Sequence, residues 1–131
     1  MGAGDPFQYA VWRVVPDVER GERFNAGVVL FARTREFLGA RVALDRAVLA
    51  AMAPGCDPEP LARQLEGLAR VAAGDPGAGP IARMDMHQRF HWLTAPASTI
   101  VQPSDIHTGV CADPAATLDR LFTRLVVRGP S

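Results

Sequence analysis

FQYAVWRVVPDVERGERFNAGVVLFA, residues 7–32, is the stretch whose reading decides the fold. Phe7, Tyr9, Val11, Trp12, Val14 and Val15 are aromatic or β-branched, the types that suit a pleated, half-buried surface. Pro16 has no N–H to give a strand ladder and ends that run. Residues 17–25 then supply turn chemistry, with Gly21 free to take a positive φ. Residues 27–32 are almost wholly apolar and read as a strand covered on both faces, or nearly so. Together these runs predict an antiparallel β-hairpin. Its tip gathers Arg13, Asp17, Glu19, Arg20, Glu22, Arg23 and Asn25.

Outward from the hairpin, residues 33–36 read as a turn and residues 37–44 as a third strand, with a bulge expected at Gly39. Short connections favour an antiparallel meander of these three strands. Asp45 is placed to cap a short helix over residues 46–52, stopped by Pro54 and Gly55. Asp57-Pro58 repeats the start signal, and Leu61, Leu65, Leu68 and Ala72 form one apolar stripe that ends near Gly74. Residues 81–93 admit two readings, a helix or a loop followed by a strand at 90–93. Residues 98–102 have strand character closed by Pro103, and residues 107–111 suit an edge strand. Asp113-Pro114 opens a last amphipathic helix through Leu118, Leu121, Phe122, Leu125 and Val126. A run of strands followed by helices indicates an α+β fold: a single domain over residues 1–131, an antiparallel sheet with helices packed on one face.

Composition narrows the function classes. The 131 residues are 48% hydrophobic and 21% charged, which is a globular rather than a disordered balance. Net charge is zero, so no basic surface is implied and general nucleic-acid binding is disfavoured. All 14 basic residues are arginine, which removes Schiff-base and P-loop lysine chemistry. Two cysteines, Cys56 and Cys111, do not make a secreted disulfide framework. The N-terminus lacks a basic and an apolar signal region, and Pro6 stands where a myristoylation motif needs Ser or Thr. The longest apolar run, residues 26–32, is far short of the roughly 20 needed to span a bilayer. A cytoplasmic protein with no membrane partner is expected.

Candidate chemistry falls in two segments. At the hairpin tip, Arg13, Glu22, Arg23 and Asn25 could fix an anionic or amide group, because Arg offers a planar fork and Asn a donor and an acceptor. A solvated turn with weak surface ion pairs is the plainer reading. The segment 91–109 is rich in hydroxyls and amides. Trp92, Thr94, Ser98, Gln102, Ser104, His107 and Thr108 would make a ligand or partner surface there, against an ordered loop bonded to itself. His87 and His91 share the i, i+4 spacing of zinc-protease histidines, but Gln88 stands where the general base Glu is required. His87, His91, His107 and Cys111 are of metal-ligand type, yet nothing in the sequence brings them together, and no metal or cofactor is assigned. Ser104, Asp105 and His107 are triad types without a nucleophile elbow.

YAVWRVVPDVERGERFNAGVVLF at 9–31 and FHWLTAPASTIVQPSDIHTGVCADP at 90–114 together resemble the two blocks of the bacterial domain-of-unknown-function 3037 family. The resemblance covers most of the chain in order. It implies a small stand-alone bacterial cytoplasmic protein with no assigned activity, and an association with HipA-like kinases as neighbours. The matching polar positions are Arg13, Glu22, Asn25, Gln102, Ser104 and His107. The reading that follows is a non-catalytic binding or adaptor module. Its recognition surface would join the hairpin tip to residues 92–108, through Arg13, Glu22, Asn25, Trp92, Gln102, Ser104 and His107. The alternative is a small hydrolase or nuclease-like enzyme using Glu22 with His91 or His107 as acid–base groups. A homodimer through an open sheet face is a third idea.

Overall fold

The computed structural model describes residues 4–128. β1 (Asp5–Val14) and β2 (Phe24–Ala32) pair antiparallel, as the hairpin reading requires. β3 (Phe37–Val42) pairs with the far side of β2. On the other edge of β1, β4 (Val101–Pro103) lies beside Trp12, Arg13 and Val14, and β5 (His107–Cys111) lies beside Asp5 to Tyr9. The order is β3-β2-β1-β4, with β5 continuing the same edge. β1 is therefore central, and it touches both segments singled out in the sequence.

Four α-helices accompany the sheet among the described residues: α1 (Arg46–Met52), α2 (Pro58–Ala73), α3 (Met86–Leu93) and α4 (Pro114–Leu125). Each begins at an aspartate whose carboxylate accepts a backbone N–H of the first turn: Asp45 from Val48, Asp57 from Glu59, Asp85 from Gln88 and Asp113 from Ala116. Such caps contribute about 1 kcal/mol each. α2 stops at Gly74, which takes φ 74°, a left-handed conformation that glycine adopts without strain. The ambiguous stretch 81–93 resolves into a short 3-10 turn and then α3.

The α+β single-domain reading holds, but the helices divide between the two faces of the sheet. Ala10, Trp12, Val14, Val29 and Phe31 pack with Leu49, Leu61, Leu65, Phe90 and Leu93 from α1, α2 and α3. Phe7, Val28, Leu30 and Ala32 pack with Leu118, Leu121, Phe122 and Val126 on the opposite face. The cause is β2. Val28 to Ala32 are all buried, and alternation sends neighbours to opposite sides, so one helical layer leaves half of them in water.

The bulge also lies elsewhere than at Gly39. β2 and β3 run in unbroken register past Gly39. A Cβ there would stand 2.9 Å from Phe37 Cζ and 3.2 Å from Leu118 Cδ2, so glycine serves the close seating of α4. The irregularity falls between β1 and β2, where Trp12 pairs Gly27 and Arg13 pairs Asn25, leaving Ala26 extra. Pro103 is inside β4, opposite Trp12, where an outer edge needs no donor from it.

Candidate functional site

The bulge determines which polar groups meet. It sets Arg13 opposite Asn25, and Arg13 also pairs with Gln102 on its other side. Directly paired residues of antiparallel strands project to the same face. Asn25, Arg13 and Gln102 thus form one row across β2, β1 and β4, on the face that carries α4. All three are half-buried.

The two amides are tied down. Asn25 Nδ2 donates to the Leu125 carbonyl at 2.9 Å, which secures the last turn of α4 to the sheet. Gln102 Nε2 donates to the Thr99 carbonyl at 2.9 Å. Arg13 lies between them with no side-chain hydrogen bond or ion pair among the described residues. Exposed Arg23, Arg33, Arg63, Arg83, Arg120 and Arg124 likewise have no side-chain partner among the described residues, and water solvates them. Arg20, Arg35, Arg41, Arg46 and Arg70 each meet a carboxylate: Glu22, Asp5, Asp119, Glu59 and Asp75. Buried Arg89 donates to the carbonyls of Met84 and Ala72. Among the described residues, Arg13 is the half-buried arginine that has neither kind of partner.

The other candidates divide. Glu22 is exposed and bonded to Arg20 Nε at 2.8 Å; that hydrogen bond first, and the arginine's charge second, hold its carboxyl below the ordinary range. Asp17 Oδ1 accepts from the N–H groups of Glu19 and Arg20, so part of the tip polarity builds the turn. Ser104 is buried, accepts from the Val11 N–H at 2.9 Å and donates to the Asp105 carbonyl at 2.8 Å. His107 is exposed opposite Tyr9, with ring centroids 5.1 Å apart. Trp92 is 47% exposed on the other face of the sheet. There it borders a groove of about 260 Å³ with Trp12, Leu68, Pro96, Thr99 and Pro103. Trp12 and Pro103 face that groove, while Arg13 and Gln102, one position along, face away from it.

The structure therefore brings together Arg13, Asn25 and Gln102. It places His107 further along the same face and Trp92 on the opposite one. Glu22 and His107 do not meet. His107 is level with Tyr9, and Glu22 lies beyond the level of Val14, so about 17 Å of strand separates them. Direct proton exchange needs hydrogen-bond reach or one water, so the proposed acid–base pair is not assembled. His87 sits edge-on to Phe31, and Cys111 is buried under α4. No group of three or more metal-ligand side chains occurs among the described residues. None of the helices is long and apolar enough to cross a membrane among these residues.

Tyr9 joins these candidates. It shares the face of Arg13, because positions 9, 11 and 13 of one strand project to the same side, and that parity was available in the sequence. α4 lies over β2 and β3. α4 also reaches Phe7 and Cys111 at one end of β1 and β5, while further along β1, β4 and β5 the same face carries Tyr9, Arg13, Gln102 and His107, none of them fully buried.

A family model described as "Protein of unknown function (DUF3037)" matches residues 9–126. No curated protein and no solved structure matches the chain.

Proposed function

From the premise that this chain belongs to the DUF3037 family, whose model spans the hairpin, the edge strands and α4 alike, we propose that it is a non-catalytic binding or adaptor module. Its recognition surface is the strip of sheet beside α4, formed by Tyr9, Arg13, Gln102 and His107. The observation that carries the reading is the uneven cover of that face, with α4 over β2 and β3 and polar or aromatic groups displayed beyond it. An aromatic pair and an arginine on one strip of sheet are residue types that protein interfaces favour. A HipA-like kinase, the partner implied by the family resemblance, is the first to test.

Site-specific photo-crosslinking in the native host tests it. A photoreactive residue replaces His107 in one variant and Arg63, on the exposed side of α2, in another. Discrete protein adducts from position 107 and none from position 63 are expected, with the kinase identified by mass. Equal labelling from both positions, or none from 107, would refute the reading. An adduct of twice the chain mass would replace the adaptor role with self-association.

A further inference from the structure

We infer that the row Asn25–Arg13–Gln102 is a carboxylate-binding site that takes an Asp or Glu side chain of the partner peptide. The inference rests on the docking surface proposed above and names the chemistry it recognises. Arg13 occupies a strand interior as a half-buried residue, and its guanidinium meets no carboxylate or carbonyl among the described residues. A guanidinium with no acceptor in its own chain keeps its full set of donors for an outside carboxylate, a contact strengthened by charge and by parallel hydrogen bonds. Buried Arg89, by comparison, has carbonyl acceptors within the chain for both of its terminal nitrogens, with Nε alone unpartnered. The acceptor for Arg13 is absent from the described residues, and an external carboxylate supplies it.

The neighbours fit that ligand. A guanidinium presents parallel N–H donors that match the two oxygens of a carboxylate. Asn25 and Gln102 flank it at register-paired positions, and each uses one amide N–H internally, at 2.9 Å in both cases. The second N–H of each amide remains for the ligand. These internal bonds also fix both amides in place before any ligand arrives, which lowers the ordering cost of binding. The row holds a single cation between two neutral amides, a charge balance that suits a monoanion better than a dianion.

Side-chain NMR of the intact protein tests this with small probes. Acetyl-glutamate amide should shift the Arg13 Nε–H and the NH₂ signals of Asn25 and Gln102 saturably, and acetyl-glutamine amide should not. R13Q should weaken binding about tenfold or more, since a charge-assisted bidentate contact is lost. R13K should fall between, because it keeps the charge and loses the fork. Unchanged backbone signals elsewhere would show that both variants fold. Equal shifts with the glutamine probe, no saturation, or wild-type binding by R13Q would overturn the inference. Stronger binding of inorganic phosphate than of the glutamate probe would overturn the carboxylate assignment. Failure here with position 107 still crosslinking leaves the docking surface standing without acid recognition. Binding here with no crosslinks removes the docking surface instead.

Discussion

Replacing Ser104 by alanine separates a structural serine from a ligand-binding one. Pro103 pairs with Trp12 and His107 with Tyr9, so the outer edge takes four residue steps where β1 takes three. Ser104 absorbs that mismatch. Its N–H donates to the Val11 carbonyl at 2.8 Å, and its Oγ accepts from the Val11 N–H at 2.9 Å. The hydroxyl thus occupies the place of a ladder carbonyl, and both residues are buried. In S104A the Val11 N–H keeps its burial and loses its acceptor, at a cost of about 1–3 kcal/mol. The Asp105 carbonyl also loses a donor, but Asp105 is exposed and water replaces it. With a urea slope of about 2 kcal/mol per molar for a chain of this size, the midpoint should fall by about 1 M with the slope unchanged. Equilibrium urea unfolding followed by tryptophan fluorescence measures it. A midpoint within about 0.2 M of wild type would refute the argument, because the Val11 N–H would then have another acceptor. Acid-probe binding should survive in S104A, since its hydroxyl is turned to β1 and not to the row.

Three further perturbations probe other links. G109A should destabilise by about 1–3 kcal/mol, because a Cβ there would lie 2.6 Å from Phe7 Cζ and Phe7 is wedged in the α4 core; a thermal midpoint equal to wild type would mean that the ring yields freely. N25A should release the Leu125 carbonyl and cost about 1 kcal/mol, with faster amide exchange confined to the final turn of α4; uniform exchange along α4 would contradict the latch. D75N tests an acid-sensitive contact. The Arg70 hydrogen bond first, and then the Gly77 N–H, hold the Asp75 carboxyl below its ordinary value of 3.8. A lowered folded pKa means that the stabilisation is present above the unfolded value and is lost as pH falls through the folded one. D75N should therefore be slightly less stable at neutral pH and lose less on acidification below about pH 4. Urea midpoints at pH 7 and pH 3 that fall equally in both proteins would show that Asp75 titrates alike folded and unfolded.

Much of this architecture was legible in local chemistry. The aspartate caps, the Gly74 stop, the stripe of α2 and the stripe of α4 each depend on residues a few positions apart, which is the range over which a sequence states its preferences directly. The errors share another origin. Gly39 resembles a bulge glycine, and only the arrival of Leu118 and Phe37 above it shows that space was the requirement. Ser104 resembles a loop hydroxyl until its partner is known to be Val11, 93 positions away. The division of the helices was partly implied by the apolar run at 27–32, because a strand covered on both faces needs cover from both sides. The spread of the site residues was not legible, since it depends on the pairing of β1 with β4 and β5 across some ninety residues of chain.

The central position of β1 explains both how the candidate residues are related and why they are not one cluster. Val14 and Trp12 carry the helical core on one side, and Trp12 Nε1 donates to the Leu93 carbonyl at 3.0 Å, anchoring the end of α3. Arg13 stands between them in sequence and so must point to the other side. Had β1 and β2 stayed in even register, Ala26 would oppose Arg13, and Asn25 would move to the helical-core face. The single extra residue at Ala26 keeps Asn25 beside Arg13 and within reach of Leu125. One backbone irregularity thus sets both the attachment of α4 and the composition of the polar row. A variant with Ala26 deleted should lose both together: protection of the last turn of α4 and binding of the glutamate probe. Retention of either one without the other would show that the bulge does not couple them.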